Sequence, residues 1–232
     1  MKRTFICLLG ILIMVSAGTF AARAATTEIA ASGLGSVSLP PNVATVNSSV
    51  ETFAEGADAA VGENNARYER IVAALVKLGI ARSDITLAYY NVSYNPRPQT
   101  GENPGERYGY TVSRSFSVKV RRIGDAGRVS DACMGSGATA IDGVAFGLAD
   151  PTVARREAAA KAVAEARANA SAVAEAAGLR VIGIKRLELL GGPQASPVPL
   201  MRAAAVAKEP TQFDQSNVNV TVSVNVIFLA GP

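Results

Sequence analysis

Alternation of apolar and polar residues marks two segments of the chain as strands. From 112 to 120 the even positions are valine or phenylalanine except Arg114, while the odd positions are Ser or Lys. Residues 218–228 repeat the pattern, with Asn, Thr or Ser between most of the apolar positions. A period of two residues places one set of side chains on a buried sheet face and the other on a wet face. The second segment has no charge on its polar face, which favours pairing with another strand where it is exposed.

Shorter runs rich in Val, Ile, Thr and Tyr predict the remaining strands. These runs are bounded by glycine, proline or aspartate, the residues that favour turns. They cover residues 29–39, 43–53, 86–94, 141–149 and 181–190.

Three segments have the spacing of amphipathic helices. Residues 57–78 carry apolar side chains at three-four spacing and are followed by Gly79, which suits a helix C-terminus. Residues 125–134 predict a short helix before Gly135. The longest helix is predicted from Asp150-Pro151 to Ala177, with aspartate as its cap and alanine dominating its length.

The order of elements predicts an α+β fold, with mostly antiparallel sheet and helices packed on one face. The mature part is long enough to bury a core as one domain or as two small intimate α/β sandwich subdomains. Two segments, 95–107 and 191–215, are rich in proline, glycine or alanine and are predicted to be long and irregular.

The N-terminus has the order of a secretory signal peptide. Lys2 and Arg3 precede a short apolar run that ends at Phe20, and Ala22-Arg23-Ala24 fits the small-residue cleavage pattern. We expect residues 1–24 to be removed and residues 25–232 to form the mature protein, with an uncleaved anchor as the alternative. The expected location is the periplasm, in association with the outer membrane or free.

Charge and composition restrict the function. The signal removes three of the 23 basic residues and none of the 19 acidic ones, so the mature chain is nearly balanced and no nucleic-acid partner is expected. The sequence contains no histidine, which excludes Ser-His-Asp and Cys-His catalysis and the usual imidazole metal ligands. We therefore expect no enzyme activity, no metal and no cofactor.

Two sets of residues remain as candidates for function. Cys133 is the single cysteine of the mature chain, and we expect either a buried apolar role or a free thiol that can pair between chains. Arg114 interrupts an apolar strand face, either as an arginine reaching solvent at a sheet edge or as a charge paired in an interface. The candidate interface or pocket joins it to the tyrosines near the first long loop, Tyr89, Tyr90, Tyr94, Tyr108 and Tyr110.

An ordered set of motifs across residues 26–230 resembles the SIMPL-domain family of bacterial periplasmic immunogenic and oxidative stress defence proteins. The motifs are Gly33-x-Gly35, Pro40-Pro41-Asn42-x-Ala44, Leu78-Gly79-Ile80 with Asp84-Ile85, Tyr94-x-Pro96, Tyr108-x-Tyr110, the alanine helix ending at Gly178-Leu179, and the closing valine-rich strand. The glycine that is usual before the last strand is not evident in residues 211–216.

The resemblance implies an exported, non-enzymatic α+β protein, linked in some members to oxidative stress and in others to large hollow homo-oligomers. We therefore expect an envelope protein that acts by assembling with itself as a scaffold or channel-like oligomer, with other envelope proteins or the membrane as further partners. The alternatives are a monomeric periplasmic module for ligand binding or stress protection, and a redox role for Cys133.

Overall fold

The computed structural model describes residues 26–96, 108–196 and 211–232. The predicted signal peptide lies outside the described residues, as do 97–107 and 197–210, most of the two predicted irregular segments. The elements are β1 (Thr27–Leu39), β2 (Val43–Ala54), α1 (Ala57–Lys77), β3 (Ile85–Asn95), β4 (Gly109–Val120), α2 (Ala126–Gly135), β5 (Ala140–Gly147), α3 (Thr152–Ala176), β6 (Arg180–Ser196) and β7 (Val218–Gly231).

The strands form two antiparallel sheets, each with its own helical cover and its own core. The first sheet has the order β1-β7-β6 and packs against α3, while the second has the order β3-β4-β2-β5 and packs against α1 and α2. The predicted α+β fold with helices on antiparallel sheet is confirmed.

The core of the first sheet is built from very small residues on the helix. Alanines at every fourth position of α3, from Ala154 to Ala174, are buried against β1 and β7. A Cβ atom on Gly33 would lie 2.0 Å from the carbonyl oxygen of Ala162, and one on Gly35 would lie 1.8 Å from that of Ala158. Real side chains do not fit there, so the two glycines of β1 allow the helix backbone to lie directly on the strand.

The core of the second sheet is filled by larger side chains. Phe116 and the valines of β2 and β4 meet the apolar face of α1, where Ile71 and Leu75 are buried. Asn64 of α1 is also buried, and its amide nitrogen donates to the carbonyl oxygens of Val50 and Val112, at 3.1 and 3.3 Å. The helix is thereby fixed to the two central strands of the sheet.

The predicted irregular segment 191–215 is wrong in its first part, because β6 continues to Ser196. A bulge between Leu190 and Gln194 absorbs Gly191, Gly192 and Pro193, after which pairing with β7 resumes. The partner strand β7 is long enough to pair along this extension, and proline is tolerated in an edge strand at a bulge.

The described end of that segment, 211–217, has no regular structure but is held in place by its neighbours. The hydroxyl of Thr211 donates to Asp131 at 2.7 Å, and its N–H donates to the same carboxylate at 3.1 Å. Gly127 of α2 lies against the Thr211 carbonyl, and the ring of Phe213 lies 6.3 Å from that of Phe146. The segment therefore passes over α2 and β5 of the second sheet before it enters β7 of the first sheet.

Candidate functional site

The candidate tyrosines are brought together by the pairing of β3 with β4. Tyr94 lies opposite Tyr110 in the register, and their ring centroids are 4.8 Å apart. Tyr90 lies opposite Arg114 on the same side of the sheet. Tyr108 comes just before β4 and is half-buried. The sequence therefore grouped side chains that the fold also places near one another.

Tyr89 points to the other side of the sheet. A bulge between Leu87 and Tyr89 changes the register of β3, and Tyr89 then lies opposite Ser115 on the polar face. Its side chain is 55% exposed. The candidate set is thus divided, because Tyr90 and Tyr94 lie on the helix side and Tyr89 lies on the opposite face.

Arg114 is held between two aromatic rings rather than at a sheet edge. It lies on β4, which has β3 on one side and β2 on the other. Its guanidinium carbon is 4.5 Å from the ring centre of Tyr68 and 5.0 Å from that of Tyr90, and Nη2 donates to Asn65 at 2.6 Å. The negative faces of the two rings stabilise the cation, as in other cation–π contacts.

Tyr68 is the site residue that the sequence interpretation did not include. The three-four spacing of α1 placed it correctly on the apolar stripe of the helix, where its ring packs edge-on against Phe116. Its second contact, with Arg114, joins α1 to β4 and depends on how the helix lies across the sheet. Sequence spacing within one helix carries no signal for that contact.

The helix-side surface of β3 is apolar and open to solvent. Tyr90, Val92 and Tyr94 are 40%, 41% and 58% exposed, because α1 lies over β2 and β4 and not over the edge strand. We call this set of three residues the β3 stripe. Single exposed apolar side chains are common, whereas these three form a contiguous row on one strand.

Among the described residues, the candidate tyrosines lie apart from the two main recesses. A recess of about 250 Å³ lies beside Gly79, Lys119 and Arg121, and another of about 300 Å³ lies between α3 and β6. The candidate tyrosines and Arg114 line neither of them. The described residues around the β3 stripe thus offer a small ligand little enclosure.

Cys133 is fully buried on α2, in the core of the second sheet. Burial raises the pKa of its thiol to about 11, and a hydrogen bond with Ser48 offsets only part of that rise. Because the thiolate is the nucleophile, this environment suppresses both disulfide exchange and redox chemistry in the folded protein. The structure thus favours the apolar alternative for Cys133.

Comparison with known proteins covers nearly the whole described fold. Residues 29–228 match the family model described as SIMPL, protein of unknown function (DUF541). The chain is 28% identical to the 26 kDa periplasmic immunogenic protein of Brucella melitensis, over 87% of this chain and 84% of that protein. It is 24% identical to the uncharacterized protein YggE of Escherichia coli K12, over 88% of this chain and 84% of that protein.

The names of the Brucella relatives refer to location and antigenicity, and none of these names assigns a reaction. The helices of the described residues are too short or too polar to cross a membrane. The extent of the match to the family model decides the classification: the chain belongs to the SIMPL family.

Proposed function

We propose that this protein is exported to the periplasm and works there as a homo-oligomer, as a scaffold or a channel-like assembly, and not as an enzyme. The observation that carries the proposal is β3, an edge strand that presents the apolar β3 stripe to solvent. Such an edge is a template for pairing with a further strand, and proteins that remain monomeric protect it.

An exposed apolar face on the edge strand of the other sheet supports the proposal. On β6 the side chains of Ile184, Leu187 and Leu189 are between 41% and 60% exposed. They lie on the side of the first sheet that carries α3, but that helix covers mainly β1 and β7. Each sheet therefore has one edge strand whose apolar side extends beyond its helix, and two such surfaces on one chain are enough to build more than a dimer.

Export is supported by the sequence of residues 1–24 and by the periplasmic names of the Brucella relatives. Mass spectrometry of the protein recovered from the periplasm tests it. We expect the N-terminus to be Ala25, and a chain that retains Met1 in the cytoplasmic fraction would contradict export.

The proposed assembly does not depend on the thiol of Cys133. Because Cys133 is buried with a raised pKa, any contribution to stress defence would come from the assembly and not from a thiolate. Assembly held by strands and apolar contacts is also independent of reductant.

The test is the mass of the mature chain in solution, measured by light scattering after size exclusion, with and without reductant. We expect one discrete multiple of the protomer mass that reductant does not change. A single-chain mass at all workable concentrations would overturn the proposal. A dimer that reductant dissociates would show instead that Cys133 links two chains by a disulfide.

A further inference from the structure

The four edges of the two sheets differ in how they are protected. The edge of β1 is covered by α3, because the Glu165 carboxylate accepts the Leu34 N–H at 2.7 Å and Asn169 donates to the Ser32 carbonyl at 3.0 Å. The ammonium of Lys161 reaches the Ser36 carbonyl at 3.4 Å. Side chains from the helix thus occupy the outward backbone groups of this strand.

Two further edges carry the residues that natural proteins use against unwanted pairing. On β6 these are Lys185, Arg186, Glu188 and Pro193. On the eight-residue β5, Asp142 lies within the register shift that interrupts pairing with β2, between the paired Ile141 and Gly143. Charge, proline and irregular register each oppose the addition of another strand.

Along the β3 stripe the edge strand β3 lacks these devices, because its register shift, between Leu87 and Tyr89, precedes the stripe. Its eleven residues contain no charged residue and no proline. The strand combines an uncharged edge with the β3 stripe on one face, and Tyr90 of that stripe is held by its contact with Arg114. A rigid aromatic side chain loses little conformational freedom on binding, so this surface is prepared for a partner.

The sequence of β3 is complementary to itself in one register. In an antiparallel pair about a two-fold axis at Val92, Tyr90 lies opposite the partner's Tyr94, and Val92 lies opposite the partner's Val92. All positions of the stripe are then paired on one face, where cross-strand side chains are close enough to pack. A shift by one residue would set the stripe against the polar face, and a shift by two would leave one stripe residue of each strand without a stripe partner.

We propose that β3 docks edge to edge with β3 of a second copy of this chain, about a two-fold axis at Val92. The proposal rests on the proposed function and names the first interface of the assembly. The second copy is favoured over a foreign peptide because β3 offers no charge to select one, and because two uncharged edges bring no like charges together. Pairing β3 with β6 would instead bring Lys185 and Arg186 against an uncharged strand.

The test introduces a charge at the proposed axis. In Val92→Lys two ammonium groups would face one another across the interface, and like charges in contact oppose association strongly. We expect the dissociation constant to rise by at least about tenfold, or the particle mass to fall to half or less. Val76→Lys on α1 is the matched control, because that side chain is also exposed, at 49%, and lies away from β3.

A second variant keeps the proposal testable if lysine disturbs the strand. Directly opposite residues of an antiparallel pair have Cα atoms about 4.5–5.5 Å apart, which is within the range that a disulfide spans. Val92→Cys should therefore form a covalent dimer on mild oxidation, and Val76→Cys should not.

The outcomes separate this proposal from the proposed function. A wild-type oligomer whose mass Val92→Lys leaves unchanged, with no Val92→Cys dimer, overturns the β3 interface and leaves assembly through another surface. A wild-type monomer overturns both. A periplasmic protein of another kind, bound in fixed ratio to the wild type and lost in Val92→Lys, overturns the second copy as occupant.

Discussion

The edge strands β1 and β3 differ in whether a helix covers their outward side. Both leave backbone groups unpaired on one side, but α3 lies directly on β1 and its side chains bond to those groups. In the second sheet, α1 covers β2 and β4 but not β3, so the β3 stripe is exposed to solvent. The difference shows that a helix of this fold can cover a sheet edge, and that β3 lacks such a cover.

The close approach of α3 to β1 depends on glycine, and its loss gives the largest expected effect. In Gly33→Ala or Gly35→Ala a Cβ atom would lie within about 2 Å of a helix carbonyl oxygen. We expect the free energy of unfolding to fall by about 3 kcal/mol or more, since neither backbone can yield easily. Denaturant unfolding of the purified variants measures it.

A third glycine provides the control for that experiment. Gly62 lies in α1, where a Cβ atom would meet nothing within 4 Å outside its own helix, so Gly62→Ala should raise stability by up to about 1 kcal/mol. Equal midpoints for Gly33→Ala and the wild type would show that α3 does not rest on β1 as described.

The burial of Cys133 in the core of the second sheet predicts that the free energy of unfolding depends on pH. The folded pKa is raised to about 11 from an ordinary value of 9.0, so both states hold the neutral thiol below pH 9. Above it the unfolded chain ionises first, and stability is lost as the pH rises from 9 towards 11, by about 2–3 kcal/mol in all.

The comparison of the wild type with Cys133→Ala isolates this contribution from tyrosines and lysines that titrate in the same range. We expect the difference between their unfolding free energies to shrink as the pH rises above 9. A constant difference, together with rapid labelling of Cys133 in the folded protein, would contradict burial of the thiol.

Removing the cover from β1 should make that edge behave more like β3. Glu165→Ala leaves the Leu34 N–H without its carboxylate acceptor, and we expect a loss of about 1 kcal/mol in unfolding free energy. We also expect new self-association on concentration, read by light scattering. Glu175→Ala is the control on the same helix. Equal stability and equal self-association of the two variants would show that Glu165 does not protect the β1 edge.

The smallest effect concerns the aromatic support of the β3 stripe. Arg114→Lys keeps the charge but loses the planar group that lies between Tyr68 and Tyr90. We expect a loss of about 0.5–1 kcal/mol in stability and a weaker association of protomers. Association as tight as in the wild type would show that the position of Tyr90 does not matter for the interface.

Local patterns in the sequence were sufficient for most elements of this fold. Alternation identified β4 and β7, and glycine or aspartate marked helix ends, as at Asp150, whose carboxylate accepts the Thr152 N–H at 2.9 Å. The extension of β6 to Ser196 was missed because glycine and proline suggested a loop, whereas pairing with the long β7 decided the structure.

The candidate site was predicted only in part, for a similar reason. The sequence placed the tyrosines beside one hairpin, and the structure has Tyr94 in ring contact with Tyr110 there. Alternation along β3 is enough to place Tyr89 on the face opposite Tyr90 and Tyr94, although the candidate set did not separate them. Sequence order could not show that Tyr68 from a helix completes the support of Arg114, because that contact depends on packing between elements that are distant in the chain.

Hydrogen exchange at single amides tests the central claim most directly, that the β3 edge is occupied by a second copy while β1 is covered within its own chain. At high protein concentration we expect slow exchange along β3, at least about tenfold faster exchange there in Val92→Lys, and an unchanged Leu34 amide in both. Equal exchange of the β3 amides in the wild type and in Val92→Lys would contradict the account.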